Sequence, residues 1–294
     1  MEKSVLDSYL KAGKIVIEAR EYGVTLIKAG ASLKEVCDKI EDKIRSLKGE
    51  LAFPVQISLN QVAAHYCPDD NDTVIFKQGD LAKLDIGVHI NGYVADTAVS
   101  VDLGNHAELM KASREALDNA LKLIRPGVTL GEIGKVIQET ISSHGFSPIK
   151  NLSGHGLGEY EIHTKPTIPN FDTGDTTKLK EDQVIAIEPF ATTGQGMIFE
   201  STNPTIFSQI DQKPVRSPFA REILAYIQQY KALPFARRWL VRKFGAGKTS
   251  FALRELLQAD ILRAYPPLPE KADGLVSQFE HSVIVKDKPI IYTR

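Results

Sequence analysis

The stretch LAKLDIGVHINGYVADTAVSVDL, residues 81 to 103, reads as a β-hairpin. Two runs rich in apolar and β-branched residues flank Asn91-Gly92, and Asn-Gly between such runs is the strongest short hairpin signal. With Asn91 and Gly92 as the turn, Ile90 faces Tyr93, Gly87 faces Asp96 and Asp85 faces Ala98. Side chains alternate along a strand, so Asp85, Gly87 and the opposed Asp96 share one face. The two carboxylates become diagonal neighbours, with Cα atoms roughly 7–8 Å apart. Carboxylates that close among apolar neighbours repel each other and lose hydration. A divalent cation between them removes both penalties. A one-residue slip would separate them, and aspartates near a turn also face solvent commonly, so the hairpin alone leaves both readings open.

Three other places supply candidate ligands. Gly154-His155-Gly156-Leu157-Gly158 sets an imidazole in a glycine-rich stretch, where backbone can approach a ligand closely. Read alone, such a residue is more often just an ordinary loop histidine. VIAIEPF (184 to 190) and FEHSVIV (279 to 285) read as short buried strands. Glu188 closes the first apolar run and Glu280 opens the last, where an unpaired charge is expensive unless the strand end is exposed. Together Asp85, Asp96, His155, Glu188 and Glu280 make four carboxylates and one imidazole. Such a set suits first-row cations such as Co, Mn, Fe or Zn, and two-metal hydrolytic sites.

Helices frame these strands. The pattern predicts one from about Val5 to about Lys28, stopped by Gly30, and a second capped by Ser32 with Glu35 completing a capping box. The same text returns 97 residues later, where Ile124 to Ile133 line up with Ile27 to Val36 and Thr129 with Glu132 forms the second box. A helix over Lys111 to Ile124 precedes it. Weak internal symmetry of this kind predicts two similar halves with a site between them.

From about Gly194 to Leu268 the text changes. Residues 217 to 268 are helical in pattern, with breaks near Pro234 and at Gly245-Ala246-Gly247. Between Lys213 and Arg263 there are eleven Lys or Arg and three acids, Glu222, Glu255 and Asp260. This predicts a basic helical insertion, residues 194–269, in an α/β catalytic domain formed by residues 1–193 and 270–294. Gly245-Ala246-Gly247-Lys248-Thr249 is not read as a phosphate loop: its first glycine would fall at Arg242, and no strand precedes it. Nucleotide is therefore not expected as a ligand.

Composition sets the frame. The chain has 294 residues and a formal net charge of -1, which carries no strong attraction to nucleic acid or membrane. Two cysteines, Cys37 and Cys67, suggest a reducing compartment. No apolar signal-peptide core and no run of membrane-spanning length is present, so a cytoplasmic location is expected.

In order and context, Asp85, Asp96, His155, Glu188 and Glu280 resemble the five metal ligands of the pita-bread metallopeptidases. The matching contexts are LDIGVHINGYVADTA, SGHGLGEYEIH, IAIEPF and QFEHSVIV. Within that family the chain looks like the type 2 methionine aminopeptidases, in an archaeal-like minimal form. FARRWL (235 to 240), AYPPL (264 to 268), and AFP followed by SLNQVAAHY (52 to 66) are similar to type 2 text, and the insertion lies where type 2 members carry one. The resemblance covers essentially the whole chain. It implies an α/β (α+β) pita-bread fold, with two pseudo-symmetric helix–sheet halves around a central antiparallel sheet.

The resemblance also implies a reaction: hydrolysis that removes the initiator methionine from nascent polypeptide N-termini, preferably before a small second residue. Two divalent ions would hold an attacking bridging water or hydroxide. Asp85 would chelate one ion, His155 and Glu188 the other, and Asp96 and Glu280 would bridge. Glu188 would serve as general base. His163 would donate a hydrogen bond to the reacting oxygen, and His65 would line the substrate entrance. Phe53, Ile162 and Tyr265 match methionine-pocket positions, and each is otherwise a plain core residue. No histidine lies between Phe199 and Gln209, so no pocket residue is carried over from that loop. An Xaa-Pro aminopeptidase or dipeptidase of the same fold is the rival enzyme, disfavoured by the insertion and by the short run before Asp85. A noncatalytic ribosome- or nucleic-acid-binding relative is the rival of another class, disfavoured by the complete ligand set. A catalytic protein whose basic insertion touches the ribosome is a further expectation, and a monomer is the default state.

Overall fold

The computed structural model describes residues 1–294. Four helices cover two antiparallel sheets. Helices α1 (Lys3–Leu26) and α2 (Leu33–Ser46) pack on the first sheet, α3 (Ala107–Leu123) and α4 (Leu130–Ser143) on the second half. The hairpin of Leu81–Ile90 and Tyr93–Asp102 is the backbone of the first sheet, and its register pairs Ile90 with Tyr93, Gly87 with Asp96 and Asp85 with Ala98, as the turn reading requires. Asn91 (φ 53°) and Gly92 (φ 88°) both take the left-handed conformation that a two-residue hairpin turn needs. Glu50–Leu51 and Gln56–Leu59 share the other edge of Leu81–Ile90. The second sheet runs Ile290–Ile291, His281–Ile284, Val184–Ile187, Ser153–Gly158, Glu161–Pro169.

The internal repeat is real in the backbone. Gly30 N–H donates to Phe76 O and Gly127 N–H to Leu179 O, both at 2.8 Å. Leu33 N–H meets Val74 O and Leu130 N–H meets Thr177 O, both at 3.0 Å. Gly30 and Gly127 have φ of 87° and 93°, a conformation that strongly favours glycine. Each half thus locks the same helix–turn–helix corner against an extended segment. One difference from the sequence reading appears: Thr129 and Glu132 form a full capping box, whereas Ser32 accepts from Glu35 N–H without the reciprocal bond.

Two hydrophobic cores follow the halves, one under α1 and α2 and one under α3 and α4. Side chains zip the halves together along Tyr93–Asp102. Ser282 Oγ accepts from Asp96 N–H (3.0 Å) and donates to Asp96 O (2.8 Å). Glu280 N–H donates to Ala98 O at 3.0 Å, and Thr97 Oγ1 donates to Glu280 O at 2.8 Å. This seam sets Asp96 beside Glu280.

Helices α5 (Pro218–Ile227), α6 (Arg237–Phe244) and α7 (Ala246–Gln258) enclose a third core with the strands Ile206–Gln209, Phe235–Ala236 and Leu262–Tyr265. Residues 262–265, helical in the sequence reading, are therefore a strand. Leu262 and Ala264 pack towards this core while Arg263 and Tyr265 point the other way, so a period of two wins once Ile206–Gln209 offers a partner edge. The guanidinium of Arg238 on α6 pairs with Glu41 on α2, and both side chains are fully buried. Five of the eleven basic residues in this region are likewise paired: Lys213 with Asp211, Arg237 with Asp69, Arg238 with Glu41, Arg242 with Asp38 and Asp70, and Lys248 with Glu222. No helix is long and apolar enough to cross a membrane, and Cys37 and Cys67 are buried free thiols.

Candidate metal centre

All ten residues singled out from the sequence line one pocket of about 240 Å³ between the two halves. The hairpin brings Asp85 and Asp96 to its floor. His155 arrives from the strand Ser153–Gly158, not from a loop. Its flanking glycines explain the difference: a Cβ at Gly154 would stand 2.3 Å from Ala186 O, and one at Gly156 2.3 Å from Lys165 O. The glycines let this strand lie tightly between its neighbours. Glu188 follows the strand Val184–Ile187, and Glu280 precedes His281–Ile284; both sit in breaks between strands. A strand break at that point turns the carboxylate inward, out of the ladder's strict alternation.

One ligand atom from each of Asp96, His155 and Glu280 lies within 4.8 Å of the others. His155 Nε2 is 3.8 Å from Asp96 Oδ2 and 3.4 Å from Glu188 Oε1. The other ring nitrogen, Nδ1, is 3.2 Å from Gly156 O, which orients the ring and leaves Nε2 for the pocket. Asp85 Oδ1 and Asp96 Oδ1 are buried without a hydrogen-bond partner.

The electrostatics are lopsided. Burial pushes the Asp85 carboxyl up to about 7. Burial, and then the neighbouring carboxylates, hold Asp96, Glu188 and Glu280 well above the usual carboxylate range. Burial, and then His163, depress His155 to about 3, so its imidazole is neutral. No Lys or Arg lines the pocket. Four carboxylates, two of them with an orphaned oxygen, one neutral imidazole and no side-chain cation fit divalent metal, whose charge would stabilise every ionised carboxylate at once.

The remaining named residues form the wall over these candidate ligands. Phe53 and Ile162 are buried, and Tyr265 is half-buried. The His65 ring meets Tyr265 edge-on with centroids 5.8 Å apart, and His163 lies 4.6 Å from His155 in the same sense. His65 holds a left-handed backbone (φ 65°), uncommon for a residue with a Cβ and frequent where a site fixes a side chain. Crowding, and then the Arg263 charge, lower the His163 pKa, although the outer side of that ring is open to solvent.

Two glutamines were missed. Gln278 Nε2 donates to Glu188 Oε2 at 3.4 Å, and Gln56 pairs in register with Asp85 and leaves its Oε1 buried and unpartnered in the pocket wall. The available signal was an amide inside an otherwise apolar β run, in VQISL and VSQFE.

Residues 7–286 match the description Metallopeptidase family M24. The chain belongs to this family. This M24 member is 45% identical to a methionine aminopeptidase of Archaeoglobus fulgidus over 288 residues, covering 98% of this chain and 97% of the relative. It is 42% identical to one from Methanocaldococcus jannaschii, covering 100% and 99%. Among solved structures, a thermophilic Arx1 aligns with a TM-score of 0.88 at 16% identity, covering 99% of this chain and 91% of that one. A methionine aminopeptidase from Thermotoga maritima aligns at 0.74 and 23%, covering 100% and 98%. At those identities the structural matches speak for the fold, which is the pita-bread arrangement of M24.

Proposed function

We propose that this M24 member hydrolyses the first peptide bond of polypeptides that begin with methionine. The observation that carries the reading is the convergence of Asp85, Asp96, His155, Glu188 and Glu280 beneath an apolar, histidine-flanked pocket. The chain that builds it is 42–46% identical to archaeal methionine aminopeptidases along nearly its whole length. The insertion, taken as residues 194–269, contributes Tyr265 and Ile206 to that pocket.

The residues divide the work as follows. Asp85 would hold one of two metals, His155 and Glu188 would hold the other, and Asp96 and Glu280 would serve both; cobalt, manganese, iron and zinc all suit this donor set. When bound, such cations supply Lewis acidity to the peptide carbonyl and to water. Glu188 accepts the proton of the attacking water and delivers it to the departing amine, held in place through Gln278. His163 donates a hydrogen bond where negative charge develops on the scissile oxygen. Phe53, Ile162 and Tyr265 pack the thioether, a flexible and polarisable group suited to such a wall, and His65 closes the entrance. A cytoplasmic site of work belongs to the same reading, since nascent chains would be the substrates. A ribosome contact through the basic segment would have to use the residues left unpaired there, such as Arg221 and Arg254; pelleting with ribosomes at physiological salt tests it.

The test of the main reading uses metal-reconstituted protein and two peptide series, Met-Gly-x and Ala-Pro-x, with products identified by mass. Release of methionine from the first series, lost on chelation and in Glu188→Gln, is the expected result. Cleavage of the second series alone would assign the Xaa-Pro activity instead.

A further inference from the structure

We infer that Arg263 reads a carboxylate on the substrate two residues beyond the methionine, which makes it a specificity-determining residue; this rests on the methionine-removing reading above.

The sheet at the root of the insertion has two faces. Ile206 pairs with Tyr265 and Ser208 with Arg263, so these four side chains share one face, while Phe207 and Leu262 turn into the insertion's own core. The first pair lines the metal pocket. The second lines an adjoining groove of about 260 Å³ that shares Ile162, His163, Pro234 and Tyr265 with that pocket. The face therefore forms a continuous floor leading out from the metal ligands.

Spacing gives the register. Tyr265 and Arg263 are separated by two strand residues, roughly 6.6–6.8 Å. An extended peptide running along this floor advances by the same amount in two residues. With the methionine against Tyr265, the third residue comes to Arg263. Ser208 Oγ lies 3.0 Å from the Tyr265 hydroxyl, so the floor between them is already tied down.

Arg263 is uncommitted. Its side chain is exposed and, unlike Arg237, Arg238 and Arg242 in the same insertion, it makes none of the chain's ion pairs. A planar guanidinium with free donors at the side of a peptide groove is suited to bidentate capture of a carboxylate. Glu161 stands in the same groove, also exposed and unpaired, and opposes an acidic side chain.

The experiment measures kcat and KM on Met-Gly-Glu, Met-Gly-Gln and Met-Gly-Lys peptides, extended and amidated at the C-terminus, with wild type, Arg263→Met and Arg263→Glu. At low salt the wild type is expected to favour Glu over Lys by about 2- to 5-fold in kcat/KM, the size of an exposed charge pair. The effect should reside in KM, as for binding that is equal in ground and transition states, and fade as salt is raised. Arg263→Met should erase the preference and Arg263→Glu reverse it. Glu161→Gln should raise it, and a fall would count against the assignment. Met-Gly-Gly as free acid and as amide separates the other source of the same chemistry, since an Arg263-dependent gain for the acid shows capture of a chain-terminal carboxylate. If all three peptides are cleaved equally, or the preference survives Arg263→Met, the inference is overturned and the activity stands. If no Met-Gly peptide is cleaved, the proposed function falls first.

Discussion

Phe53 fills the space that a side chain at Gly87 would need: a Cβ built on Gly87 stands 2.2 Å from Phe53 Cε1. Gly87 lies between the two aspartates in register, opposite Asp96, and Phe53 lines the same pocket. The missing side chain on the hairpin is thus what admits the aromatic wall against the face that carries the candidate ligands. Gly87→Ala must push the ring aside. Overpacking of this sort costs about 1–3 kcal/mol. We expect a lowered Tm and a KM for Met-Gly peptides raised more than kcat falls; unchanged KM would show that the ring plays no part in holding methionine.

Divalent metal should stabilise the folded protein, because it binds ligands that the unfolded chain does not hold together. At a free concentration one hundred times Kd the gain is about 2.7 kcal/mol. Thermal unfolding with chelator and then with added Mn or Co reads this directly. Asp96→Asn is expected to diminish the metal-induced rise in Tm while folding normally without metal, since it removes one of the repelling buried charges. An Asp96→Asn protein with an undiminished metal shift would remove Asp96 from the ligand set.

The Glu41–Arg238 pair holds the insertion to the first half through α2 and α6, with Trp239 Nε1 also donating to Glu41 Oε2 at 2.9 Å. Removing either partner leaves a buried charge with only a longer contact, Arg238 to Asp38 at 3.4 Å or Glu41 to Arg45 at 3.5 Å, and should cost up to about 3–5 kcal/mol. Glu41→Ala and Arg238→Ala are each expected to lower the midpoint of urea unfolding strongly. The combination Glu41→Leu with Arg238→Met should recover much of the loss, because no orphan charge remains. Additive losses in the double variant would contradict this account.

Glu270 gives a prediction in pH. It is fully buried, which raises its proton affinity, but its carboxylate accepts backbone N–H bonds from Gln195, Gly196, Ala272 and Gly274 at 2.6, 3.1, 2.6 and 3.0 Å. The bonds prevail and hold the pKa below the usual glutamate value. A carboxyl with a depressed folded pKa contributes stability above its unfolded pKa, near 4.3, and loses it as pH falls through the folded value. Glu270→Gln should be less stable than wild type at pH 7, with the difference shrinking below about pH 4. Denaturant midpoints between pH 3 and pH 7 measure this, and a pH-independent difference would assign the loss to packing alone.

The sequence by itself determined whatever depends on near neighbours in the chain. Asn91-Gly92 and two β runs of matched alternation are enough to set the hairpin register, because side-chain period and turn length leave one pairing that buries the apolar face. Gly30 and Gly127, with the caps at Ser32 and Thr129, reveal the repeat for the same local reason. The five candidate ligands could be named from their contexts, yet their assembly could not be derived locally. Asp96 and Glu280 lie far apart in the chain and meet only because Ser282 and Thr97 zip two sheets into one seam. Tertiary structure alone decided the rest. The strand at Leu262–Tyr265 exists because Ile206–Gln209 supplies an edge, and a short apolar run carries no sign of its partner. His155 lies on a strand because two glycines admit neighbouring carbonyls that no local pattern announces. Gln56 and Gln278 take on meaning only beside Asp85 and Glu188. The charges of Arg237, Arg238 and Arg242, which made the insertion look basic, are met by acids from the first half of the chain, whereas Arg263 is left free at the groove.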